Sequence, residues 1–83
     1  MPYHKDKQQA FQAAEQGVQE VRDLYEEIDE TAPEYGAYVK RIKKEINEAQ
    51  QQIEKALTVA GERQKQILEQ MREEVAELDS QFP

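Results

Sequence analysis

From Phe11 to Ile28 apolar side chains recur at alternating steps of three and four: Phe11, Ala14, Val18, Val21, Tyr25 and Ile28, among residues that are mostly amides and carboxylates. With about 3.6 residues per turn these positions form one stripe, so the segment predicts an amphipathic helix packed through a single face. A longer stripe follows: Tyr35, Val39, Ile42, Ile46, Ala49, Ile53, Leu57 and Ala60, then Ile67, Leu68, Met71, Val75, Leu78 and Phe82. At about 100° per residue all of them fall on one face, with Gln64 the single polar member.

Between the stripes, Thr31-Ala32-Pro33-Glu34 has the spacing of a capping box. In that motif the threonine oxygen takes the amide of the glutamate, and the glutamate reaches back. Proline suits the first turn because the amide it lacks would have no intrahelical acceptor there. The first helix is therefore expected to end near Asp29 and the second to begin near Ala32. Asp6 followed by Gln9 is the start signal for the first helix.

The stretch LTVAGERQ, Leu57 to Gln64, decides the topology. Phase continuity of the long stripe favours an unbroken helix. Thr58 and Val59 are weaker helix formers, and Gly61 costs about 1 kcal/mol in a helix interior while readily adopting the left-handed conformation that ends one. Charge separates the two readings. Lys40, Arg41, Lys43 and Lys44 open the second helix, and Glu73, Glu74, Glu77 and Asp79 lie near the end of the last segment. Both placements oppose the helix dipole. A chain folded back near Gly61 sets the two clusters side by side, and brings Asp23, Glu26, Glu27, Asp29 and Glu30 of the first helix to the same end.

The expected fold is all-α: an antiparallel up-down-up three-helix bundle in a single domain, 1–83, with helices over about residues 6–29, 32–59 and 62–80. The alternative is a helical hairpin with one long second helix. It satisfies the charges only when two chains pair antiparallel and exchange their last segments, with Gly61 as the hinge.

Composition narrows the function. At 83 residues the chain has room for one small core. Its hydrophobic fraction of 37% against 35% charged residues would mean disorder if the apolar positions were scattered, but they are periodic. The net charge of −7 repels nucleic acid and anionic membranes. The absence of cysteine excludes disulfides, thiolate metal sites and a cysteine nucleophile. No apolar run is long enough to span a bilayer and no secretory leader is evident, so a cytoplasmic protein is expected.

Candidate chemistry is thin. His4 is the lone histidine, and the glutamate with a histidine three residues on that marks di-iron bundles does not occur. The carboxylates belong to polar helix faces without a Gly-rich loop, and Ser80 has no base near it in sequence. These observations predict no enzyme, no cofactor, no metal site and no small-molecule ligand. Tyr25 and Tyr35 belong to the stripes as core positions, while Tyr35 and Tyr38, flanking Gly36 after the turn, form a candidate aromatic patch. The candidate surface for a partner or a second copy is Tyr35 and Tyr38 with the face Ile67, Leu68, Met71, Val75 and Leu78. Gln64, a polar residue within an apolar stripe, is of the kind that sets register between helices.

The stretches PEYGAYVKRIKKEINEAQQQIEKAL and ERQKQILEQMREEVAEL resemble the small glutamine-rich helical proteins of spore-forming Bacillales over about the last two thirds of the chain. That family has no assigned activity, so no functional residue carries over from it. The function expected is a non-enzymatic, acidic helical protein–protein interaction module that binds another protein or itself. The alternative is a regulator of a phosphotransfer or other enzyme through the acidic face Glu26, Glu27, Asp29 and Glu30.

Overall fold

The computed structural model describes residues 2–82, with side chains over 7–82. Its helices are α1 (Pro2–Glu26), α2 (Tyr35–Val59) and α3 (Glu62–Asp79), and no strand occurs among the described residues. They run up, down and up as a three-helix bundle with a long axis of 50 Å. Helix α2 packs against both others, and α1 touches α3 least.

The stripes meet where their spacing directs them. Ala14, Val18, Val21 and Leu24 of α1 pack on Ile42, Ile46, Ala49, Ile53 and Ala56 of α2, and Leu68, Met71 and Val75 of α3 close the core. Phe11, Tyr25, Ile28, Leu57, Leu78 and Phe82 cover its edges. Gly17 lies on the interhelical seam, where a Cβ would sit 3.3 Å from the Ala49 Cα and 3.4 Å from its Cβ. The backbones of α1 and α2 approach there because neither helix presents more than a methyl group. Removing the apolar side chains of this core from water, at about 25 cal/mol per Å², is what holds the bundle together.

Both links differ in detail from the sequence expectation. Thr31 does not cap α2: its amide and hydroxyl both donate backward to the Asp29 Oδ1, at 3.0 and 2.7 Å. Glu34 precedes the first helical residue and makes no capping hydrogen bond, so the capping box is not formed and α2 begins at Tyr35 rather than Ala32. The steric clash of a proline ring with the residue before it disfavours helical geometry at Ala32, so the aspartate side chain organises the turn instead. Helix α1 ends at Glu26 and is already helical at Pro2, ahead of the start expected at Asp6.

The second link is two extended residues, Ala60 (φ −74°, ψ 144°) and Gly61 (φ −79°, ψ 175°). The left-handed bend expected at Gly61 is absent, and no described residue has positive φ. Extended backbone turns the chain here without strain, and Lys65 N–H donates to the Gly61 carbonyl at 2.8 Å to open α3. The chain thus folds back at 60–61, so the long unbroken helix is not its conformation. No helix is long and apolar enough to cross a membrane among the described residues.

Candidate functional site

The apolar face expected to serve a partner is largely consumed by the fold. Leu68 and Val75 are fully buried, Met71 nearly so, and Leu78 is half-buried against the core. These residues are therefore unavailable as a surface while α3 packs on its own chain. Ile67 alone stays out: at 41% exposure it is the one large apolar side chain exposed among the described residues.

Ile67 borders a groove between α1 and α3 lined also by Glu15, Gln19, Gln70 and Met71. Arg22 and Glu74 span the groove in a bidentate pair, Nε to Oε2 at 2.7 Å and Nη2 to Oε1 at 2.6 Å. The hydrogen bonds from Arg22 hold the Glu74 carboxyl below its ordinary range, and the same bonds raise Arg22. Arg22 is the lone basic residue between Gln8 and Glu30, a position that sets it apart in the sequence although it belongs to no charge cluster. Near the 60–61 link, the Gln64 Oε1 is buried without a hydrogen-bond partner.

A second cleft lies at the opposite end, where the α1–α2 turn brings Glu27, Asp29, Ala32, Glu34, Tyr35 and Tyr38 together. Both tyrosines are half-buried on the opening turns of α2. The Tyr38 hydroxyl donates to Glu27 Oε2 at 2.6 Å, which pushes the phenol up because its ionised form would face that carboxylate. The two donations from Thr31 hold Asp29 below the ordinary carboxylate range, so it stays charged. Glu27, Asp29 and Glu34 make no ion pair among the described residues. The cleft thus joins acidic side chains to aromatic rings, a combination that accommodates an organic cation.

The expected charge network is thinner than the sequence suggests. Lys43 lies 3.8 Å from Asp79, whereas Lys40, Arg41 and Lys44 form no ion pair among the described residues. Arg41 instead borders a shallow groove with Glu20, Asp23, Glu27 and Glu45. The other α2–α3 pair, Arg72 with Glu54 at 3.0 Å, uses residues outside the clusters. Long, exposed side chains lose entropy when fixed, so clusters of opposite sign can share an end of a bundle without forming contacts.

The His4 side chain lies outside the described residues. The Ser80 hydroxyl donates to the Glu77 carbonyl at 2.6 Å, finishing α3. No group of three or more His, Cys, Asp or Glu residues is arranged to hold a metal ion among the described residues. No protein-family model, curated protein or solved structure matches the chain.

Proposed function

We propose that the chain is a non-enzymatic interaction module that docks another protein through the α1–α2 end of the bundle, and that the segment it receives is basic. The observation supporting this reading is the turn cleft, in which Glu27, Asp29 and Glu34 lie beside two half-buried tyrosine rings and form no ion pair among the described residues. A lysine or arginine side chain entering there places its charge among the carboxylates and its aliphatic stem along the rings. Each exposed contact contributes about 0.5–1 kcal/mol, so a single short segment binds weakly, in about the high micromolar to millimolar range. The net charge of −7 raises the encounter rate with a basic partner.

The test is a titration of isotope-labelled protein with a short lysine-rich peptide, beside the same peptide with acetylated lysines. The reading expects saturable resonance shifts centred on the turn, weakened by salt. They should be abolished by acetylation and by the double variant Glu34→Gln, Tyr35→Leu. Shifts spread evenly over the acidic surface, or unchanged in that variant, would refute docking at the turn.

A further inference from the structure

We propose that this chain pairs with a second copy of itself by exchanging α3, and that the two Gln64 side chains form the new contact at the crossing. The first ground is that the folded-back chain leaves a polar atom at the start of α3 unsatisfied: Gln64 Oε1 is buried without a hydrogen-bond partner. The second is helical phase. Leu57, Ala60, Gln64 and Ile67 follow steps of three, four and three, the spacing of a coiled-coil seam, but the bend at Ala60 and Gly61 separates them onto two helices.

The interhelical pairs locate the crossing. Lys43 with Asp79 and Arg72 with Glu54 pair α2 with α3 about midpoints at residues 61 and 63. When Ala60 and Gly61 become helical, α2 and α3 fuse into one helix over 35–79, and α3 makes the same contacts on the α1 and α2 of the other copy. The register carries over, so two long helices run antiparallel about a two-fold axis near residues 61–63. Gln64 lies within about one helical turn of that axis. Each Gln64 amide can then donate to the Oε1 of its counterpart, supplying the partner this atom lacks in the folded-back chain. This crossing is the only new interface, because every other contact is inherited.

The bend makes the test sharp. Gly61 sits at φ −79°, within the range proline adopts, and Ala60 at ψ 144° has the geometry of a residue preceding proline. A Cβ at position 61 meets chiefly the end of the flexible Lys7 side chain. Gly61→Pro therefore fits the bend and forbids the straight helix. Gly61→Ala fits the bend and also favours the straight helix.

Mass would be measured by sedimentation equilibrium from about 10 μM to about 1 mM, a range that brackets weak self-association. Each sample would first be unfolded and refolded at its final concentration so that exchange reaches equilibrium. The proposal expects a wild-type dimer that rises with concentration, and about thirtyfold tighter pairing for Gly61→Ala, since both hinges gain. For Gly61→Pro it expects pairing weakened by about four orders of magnitude, since both hinges are blocked. Wild type and Gly61→Ala both monomeric throughout would overturn it. So would a dimer that persists in Gly61→Pro at native helicity, since that identifies side-by-side association. If circular dichroism shows Gly61→Pro unfolded, the comparison of wild type with Gly61→Ala decides, and unchanged pairing refutes the exchange.

Discussion

Gly17 and Gly36 are both helical glycines, and the same substitution should act on them in opposite ways. At Gly36 nothing lies within 4 Å of a new Cβ, so alanine contributes only its helix propensity. Near a helix start this is worth about half of the full 1 kcal/mol, and Gly36→Ala should stabilise by about 0.5 kcal/mol. At Gly17 the new Cβ meets the backbone of α2, 3.3 Å from the Ala49 Cα, which is tighter than ordinary van der Waals contact. Relief requires the two helices to separate by a few tenths of an ångström across a seam whose neighbours Ala14, Val18 and Ile53 are fully buried. The lost packing offsets the propensity gain, and Gly17→Ala should fall within about 0.5 kcal/mol of wild type. Leucine, nearly as good a helix former, brings three more carbons to the same seam. Overpacking then dominates, and Gly17→Leu should lose about 2 kcal/mol net, lowering Tm by about 10 °C in a domain of this size. Urea and thermal unfolding of the three variants provide the measurement. If Gly17→Leu matches Gly17→Ala, stability follows propensity alone and the close approach of α1 to α2 is not a constraint.

The Arg22–Glu74 pair should give stability a recognisable pH dependence. Because Arg22 lowers the folded-state carboxyl value, the contribution is complete above the ordinary carboxylate range and disappears as pH falls through the lowered value of Glu74. With the two side chains 42% and 39% exposed it should stay below about 1 kcal/mol and shrink in salt. The unfolding midpoints of wild type and Glu74→Gln should therefore differ at neutral pH and converge in acid. Lys40→Glu and Lys44→Glu should each change stability by less than about 0.5 kcal/mol, and Lys43→Glu by more because Asp79 faces it. Losses above about 1 kcal/mol at Lys40 or Lys44 in the same unfolding assay would restore the extended network. Truncating the fully buried Ile53 to alanine should cost about 3 kcal/mol by equilibrium unfolding, since it opens a cavity where α1, α2 and α3 converge.

What could be read from the sequence was whatever depended on periodicity. The three-and-four spacing placed Val18, Val21, Ile42, Ile46, Ile53, Leu68 and Val75 in one core, and the structure buries all of them. Pro33 and the breakers around Gly61 marked the turns because they act on the backbone locally. The conformations of those turns were less accessible. The Thr31 hydroxyl could accept from the Glu34 amide or donate to Asp29, and Asp29 was nearer in sequence than the helix start. Gly61 is free to be left-handed, but extended backbone at Ala60 already turns the chain. Leu24 and Ala56 reach the core beside their stripes because a packed face is wider than one row of side chains. The candidate site divided in the same way. Tyr35 and Tyr38 border a cleft at the turn, whereas Leu68, Met71 and Val75, read as a surface for a partner or a second copy, are buried in the core with α1 and α2. A stripe specifies that a face is covered, not by which chain.

The two links lie at opposite ends of a bundle 50 Å long. Pairing through the 60–61 end, as proposed above, would direct the two acidic turn clefts away from each other, at the tips of a rod and about 80 Å apart, because about 27 helical residues separate Tyr35 from the crossing in each copy. A single short peptide can occupy one tip and gains nothing from the other. If the turn cleft receives a basic segment as proposed, an array that repeats such a segment at a matching interval would engage both, and the second contact would form at high effective concentration. Valency would thus follow abundance: a scarce chain caps isolated basic segments, and a plentiful one bridges them.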